Sequence, residues 1–193
     1  MAADQLQRHQ LIVGGQRSGK SRHAERLALR WLKASPAHEV CVLATAQAWD
    51  EEMRQRIARH QADRPAGFAT VEVPLSLTRA LRAQSAPGRL LLVDCLTLWL
   101  TNWLMPMGGR PDRASWEAER SALLAALPEL ASPVLFVSNE VGWGISPLGR
   151  EVRDFVDELG RLNQAVASRC QDLTLMVAGQ AWTRPVHVET DLP

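Results

Sequence analysis

The chain has 193 residues, 46% of them hydrophobic, and 22 basic against 21 acidic residues leave a formal net charge of +1. That length can bury one sizeable core, so a single domain is expected over residues 1–193, with 1–10 and 181–193 peripheral. The near-neutral balance excludes a general attraction to nucleic acid or anionic membranes. No apolar stretch is long enough for a membrane span, and Met1 to Gln10 lacks the apolar core of a secretory signal, so a cytoplasmic protein is expected.

Leu11-Ile12-Val13 reads as a first strand. It runs into Gly14, Gly15, Gln16, Arg17, Ser18, Gly19, Lys20 and Ser21, which fill the phosphate-loop pattern G-x-x-x-x-G-K-[ST]. Glycines let backbone N–H groups wrap a phosphate chain, Lys20 reaches the terminal phosphates, and the Ser21 hydroxyl can ligate Mg²⁺. An amphipathic helix over Lys20 to Leu32 follows and points its positive end at the same anion. Strand before and helix after are the context that makes the motif a nucleotide site rather than a tight turn.

Further strands are predicted at 40–44, 69–73, 90–93, 134–137 and 173–177, and helices at 50–61, 75–83, 96–104, 113–127 and 149–168. Such alternation predicts an α/β fold, a P-loop NTPase-like (RecA-like), doubly wound and mostly parallel sheet with helices on both faces. Ligands gather at the carboxyl ends of strands in that architecture. The residues there are polar: Thr45-Ala46-Gln47 after the second strand, Asp94 after the fourth, Ser138-Asn139-Glu140 after the fifth. Pro106 to Asp112 reads as a surface loop.

Asp94 reads first as a nucleotide-linked acid that binds Mg²⁺, and it can at the same time cap the helix that starts near Cys95. Within 50–61, acids in the first turn and bases in the last suit the helix dipole and need mean nothing more. His60 falls on the same face as Met53 and Ile57, which fits a core histidine. Arg56 and Arg64 flank it, which fits a nucleophile attacking a phosphate whose charge the arginines neutralise. His9, His38 and His187 read as peripheral. Cys41, Cys95 and Cys170 have no paired metal-type spacing and read as thiols in a reducing compartment. Seven Trp with no Tyr have no explanation in the sequence, and only Trp49 and Trp143 lie beside motifs.

The segments GGQRSGKSRHAE at 14–25, ATAQ at 44–47, DEEMRQRIARHQADRP at 50–65, VDCLTLWLTNWL at 93–104, NEVGWGISP at 139–147 and GRLNQAVA at 160–167 together strongly resemble one family. It is the bifunctional adenosylcobinamide kinase and adenosylcobinamide-phosphate guanylyltransferase family of cobalamin biosynthesis. Similarity runs in order from about Leu11 to Gly179. The resemblance implies phosphorylation of adenosylcobinamide by ATP or GTP, then transfer of GMP from GTP to adenosylcobinamide-phosphate through a guanylyl-histidine, with His60 at the matching position and Lys20 at the phosphates. It implies that Thr45, Gln61, Ala62, Asp63, Arg64, Glu72 and Asp94 line the GTP site beside the phosphate loop, that Ser21 and Asp94 hold Mg²⁺, and that the protein is a homotrimer. One departure is Arg59, where some relatives carry a second histidine before the nucleophile. Two readings need no nucleophile at position 60: a monofunctional small-molecule kinase, and a GTP-dependent binding switch.

Overall fold

The computed structural model describes residues 9–48, 50–62 and 65–186, and the side chains of 56, 57 and 59–62 lie outside that description. In chain order the elements are β1 (Gln10–Gly14), α1 (Lys20–Ala34), β2 (Glu39–Ala44), α2 (Glu51–Ala62), β3 (Phe68–Glu72), α3 (Leu77–Gln84) and β4 (Arg89–Val93). Then come α4 (Leu96–Leu104), α5 (Arg113–Ala126), a 3₁₀ turn (Leu127–Glu129), β5 (Val134–Val137), α6 (Arg150–Ala167), β6 (Asp172–Val177) and β7 (Gln180–Pro185).

The strands form one sheet in the order β3-β2-β4-β5-β1-β6-β7. All neighbouring pairs run parallel except β6 with β7. Side chains alternate between the faces, so each central strand feeds two cores. Leu11, Val13, Leu91, Val93, Val134 and Phe136 pack on one face against apolar residues of α3, α4, α5 and α6. Ile12, Val40, Val42, Leu90, Leu92, Leu135 and Val137 pack on the other against Ala24, Leu27, Ala28 and Trp31 of α1. Helices thus cover both faces, as the alternating pattern predicts.

Four of the tryptophans belong to this framework. Trp31, Trp99 and Trp116 are buried and Trp103 is half-buried. Three of them tie elements together through the indole N–H: Trp99 donates to the Leu75 carbonyl at 2.7 Å, Trp116 to Glu158 at 2.8 Å, and Trp31 to the Glu39 and Gly88 carbonyls at 3.2 Å. Glu158 is itself buried and also accepts from Arg120 and Arg161, which locks α5 to α6. Such rings combine large apolar area with one directed polar tie, a pairing Tyr or Phe would not reproduce at the same positions.

Two sequence expectations change. His9 is not peripheral. Its Nδ1 accepts from the Val134 N–H at 3.1 Å, so Nε2 carries the proton and donates to the Leu127 carbonyl at 2.9 Å. A neutral ring therefore clips the entry of β1 to the entry of β5. The tail also begins later than expected: Gln180–Pro185 forms β7, joined to β6 through Ala178 and Gly179, both at positive φ (49° and 79°). Those two residues make the tight two-residue hairpin that antiparallel neighbours favour. Among the described residues no helix is long and apolar enough to cross a membrane.

Candidate nucleotide-binding and phosphate-transfer site

β1 delivers the phosphate loop to the carboxyl edge of the sheet. A Cβ on Gly14 would lie 2.4 Å from the Met176 carbonyl oxygen of β6, so only glycine lets the loop leave the strand there. Gly19 caps α1 at φ 99°, a left-handed conformation that turns the loop into the helix. The tip of the β6–β7 hairpin supports the turn from behind, with the Gly179 N–H donating to the Ser18 carbonyl at 2.9 Å. Lys20 is buried, and its ammonium donates to the Gly15 carbonyl at 2.7 Å. Burial pulls its pKa below the ordinary lysine range, which leaves a cation that gains from a phosphate partner.

The loop opens on a cleft of about 970 Å³. A cleft of that size suits a nucleotide with room to spare. Gln16, Arg17, Ser18, Gly19, Lys20 and Ser21 form one wall, while Glu72, Asp94 and Asn139 come from the ends of other strands. Gly14, buried, and Gly15, exposed, are not in the lining. The sheet order decides which part of a nucleotide each residue can meet. β5 lies directly beside β1, β4 is the next strand, and β3 is at the far edge. With strands ~4.8 Å apart, Glu72 is displaced by ~19 Å from the loop strand, while Asp94 and Asn139 stand at the phosphate end.

The residue at the N-cap of α4 is not Asp94. The N-cap of α4 is Cys95, whose sulfur accepts from the Leu98 N–H at 3.4 Å. Burial raises the Cys95 pKa and keeps the sulfur a neutral thiol. Asp94 instead lines the cleft together with Ser21. A hydroxyl and a carboxylate are hard oxygen donors of the kind Mg²⁺ takes beside phosphate oxygens, so these two residues fit that ion. Among the described residues no group of three or more His, Cys, Asp or Glu gathers elsewhere into a metal site.

Other expected contacts fall differently. Thr45 is fully buried, its hydroxyl donates to the Cys95 carbonyl at 2.7 Å, and it does not line the cleft, whereas its neighbours Ala44, Ala46 and Gln47 do. Thr45 therefore ties the end of β2 to the start of α4 in this structure. His60 lies near the end of α2, a helix that contributes Met53 to the cleft. The side chains of His60, Gln61 and Ala62, and residues Asp63 and Arg64 entirely, lie outside the described residues. Trp49 does too.

Sequence reasoning missed a set of tethers behind the site. Asn102 of α4 donates from Nδ2 to the Thr45 and Pro74 carbonyls, both at 2.8 Å, holding the loops after β2 and β3. Thr97 of α4 and Asn163 of α6 hold the backbone of Asn139 at 2.9 and 3.0 Å. Beyond Asn139 the chain turns outward, and Trp143 is 72% exposed while Ile145 and Leu148 are each 99% exposed.

The profile described as cobinamide kinase / cobinamide phosphate guanyltransferase, CobU, matches residues 10–183. The chain belongs to this family. The bifunctional adenosylcobalamin biosynthesis protein CobP of Pseudomonas aeruginosa is 52% identical over 169 residues, covering 88% of this chain and 92% of that protein. The bifunctional adenosylcobalamin biosynthesis protein CobU of Salmonella typhimurium is 38% identical over 178 residues, covering 88% and 95% respectively. Among solved structures, an ATPase domain superposes with a TM-score of 0.50 at 14% identity, over 89% of this chain and 69% of that one. That likeness is one of fold, and it agrees with the P-loop NTPase-like sheet read from the sequence. The family match ends inside β7, so it includes the hairpin that the sequence reading left out.

Proposed function

We propose that this chain phosphorylates the aminopropanol hydroxyl of adenosylcobinamide with ATP or GTP, then transfers GMP from GTP to adenosylcobinamide-phosphate, giving adenosylcobinamide-GDP and pyrophosphate. The observation that carries the reading is a single cleft, in a member of the cobinamide kinase and guanyltransferase family, lined by the phosphate loop, Asp94 and Glu72 and bordered by the helix that bears His60.

In the kinase step the substrate hydroxyl oxygen attacks the terminal phosphorus. The bond from that phosphorus to the bridging oxygen breaks, the nucleoside diphosphate leaves, and the hydroxyl proton passes to solvent. In the guanylyl step a neutral ring nitrogen of His60 attacks the α-phosphorus of GTP and pyrophosphate leaves. A phosphate oxygen of adenosylcobinamide-phosphate then attacks the guanylyl phosphorus, the N–P bond breaks and His60 is regenerated. Lys20 and the loop amides stabilise charge on the phosphates and on the departing pyrophosphate. Ser21 and Asp94 would hold Mg²⁺, which when bound neutralises phosphate charge. Glu72 and the Gln61 to Arg64 stretch are assigned to GTP recognition, with Glu72 far enough from the loop to read the base edge, while Thr45 ties the end of β2 to α4 from behind the cleft.

The corrinoid is assigned to the outward loop after β5, where Trp143, Ile145 and Leu148 offer apolar area next to Val141 on the cleft rim. A substrate of that size extends past one subunit, which suits a cytoplasmic homotrimer with the acceptor lying across neighbouring copies. Incubation with adenosylcobinamide, GTP and Mg²⁺ tests the reading by mass spectrometry of the corrinoid. Sequential gains of one phosphate and then one GMP, with pyrophosphate released, are expected. A corrinoid that stops at the phosphate would leave a simple kinase, and an unmodified corrinoid would reject the reading.

A further inference from the structure

The segment just after β5 is held more tightly than a loop needs. Ser138 N–H donates to the Ile12 carbonyl at 2.9 Å and Glu140 N–H to the Gly14 carbonyl at 3.0 Å, so its flanks are bonded to β1 and to the first residue of the phosphate loop. Between them, the Asn139 N–H donates to Thr97 Oγ1 at 2.9 Å, and its carbonyl accepts from Asn163 Nδ2 at 3.0 Å. Four bonds thus fix the peptide units around Asn139, while its carboxamide bonds to nothing among the described residues and Asn139 lines the cleft beside Ser18, Lys20 and Asp94.

Asn163 supplies a second, independent sign. It is buried at 7% exposure on α6, and its Oδ1 has no partner among the described residues. A buried unpaired oxygen is a cost, which the fold carries in keeping a carboxamide donor at that position. What the residue does is hold the Asn139 carbonyl.

We propose that Asn139 is a phosphate-contacting residue: its carboxamide N–H₂ donates to the terminal phosphate of the bound nucleoside triphosphate, and Thr97 and Asn163 are positioning residues that aim it. β5 is next to β1 in the sheet, which places Asn139 at the phosphate end of the cleft and away from the base. A neutral donor suits that place, since it binds a phosphate oxygen without adding to the charge of Lys20. The rigid link through Glu140 to Gly14 keeps the donor in register with the loop. The inference rests on the nucleotide reading of this cleft and adds to it a residue that distinguishes triphosphate from diphosphate.

Binding of a non-hydrolysable GTP analogue and of GDP, measured by calorimetry for the native protein and its variants, is the test. Asn139→Ala should weaken the triphosphate about tenfold and leave GDP within about twofold, the size expected for one hydrogen bond to a charged group. Asn139→Asp, which keeps the shape but sets a carboxylate against phosphate, should weaken the triphosphate further than alanine does. Asn163→Leu should reduce the preference for triphosphate over diphosphate while the variant, with a lowered urea midpoint, remains folded under the assay conditions. Equal weakening of both nucleotides, no weakening, or an aspartate variant that binds as well as alanine would overturn the assignment. Native protein that binds neither nucleotide would overturn the nucleotide reading along with it.

Discussion

The cleft has two sides that follow neighbouring central strands, and they are built differently. On the side of β1, the phosphate loop is closed in: Gly14 abuts Met176, the Ser18 carbonyl is bonded by the hairpin tip, and Lys20 is buried. On the side of β5, the chain is pinned as far as Glu140 and then opens into a segment whose apolar side chains face solvent. The first arrangement fits a small ligand of fixed charge and shape, the second a large apolar one. On the proposed function, nucleotide chemistry and acceptor recognition are then separable, and substitutions on the two sides should fail in different ways.

The strongest loss is expected from Lys20→Ala, which should lower turnover in both steps by about 10³-fold, since it removes the cation from the charge-developing phosphates. Its denaturation midpoint should stay near that of the native protein, and parallel turnover and urea titrations check both halves of the statement. Gly14→Ala should damage the closed side through the fold itself. Its new methyl would meet backbone, the Met176 carbonyl at 2.4 Å, and a cost of about 2–3 kcal/mol in urea denaturation is expected.

On the open side, Trp143→Ala combined with Ile145→Ser should raise the KM for the corrinoid about tenfold while GTP affinity and Tm stay unchanged, because those side chains pack on little within the chain. A parallel loss of GTP affinity would erase the division between the two sides. The mildest change concerns the clip beneath both strands. Burial holds the His9 pKa below its ordinary value of 6.5, so the folded state keeps the ring neutral while the unfolded chain takes up a proton. The stabilising contribution is complete above pH 6.5 and is lost as pH falls from there toward the lowered folded value. Urea midpoints should drop across that window. His9→Gln should flatten part of the slope, and His23, whose pKa burial and then Arg26 and Arg30 also lower, accounts for another part.

Much of this architecture was legible because it is written in local runs. The phosphate loop, the strands up to residue 177 and the helices between them follow from apolar periodicity and one motif. β7 escaped because every residue in it is exposed, and because its turn is Ala178-Gly179 rather than the Asn-Gly that usually announces such a hairpin. The cap of α4 escaped because cysteine is not a customary N-cap, whereas Asp94 beside it is a favoured residue type for that position. Asn102, Thr97 and Asn163 escaped for a different reason. Each is a polar residue within a helical pattern, indistinguishable in sequence from a solvated face, and only the fold brings it against a loop many residues away. Only the family resemblance assigns His60 a nucleophilic role, since spacing alone favours reading it as a core or dipole-matched helix residue.

Whether one cleft performs covalent guanylyl transfer as well as phosphorylation is decided by intact-protein mass after incubation with GTP and Mg²⁺, kept alkaline because a phosphoramidate is acid-labile. A gain of one GMP in the native chain, absent in His60→Ala that still binds GTP, is the expected result. Native protein that binds GTP and acquires no adduct would refute the covalent route, and would return the cleft to a simple kinase or a nucleotide-dependent switch.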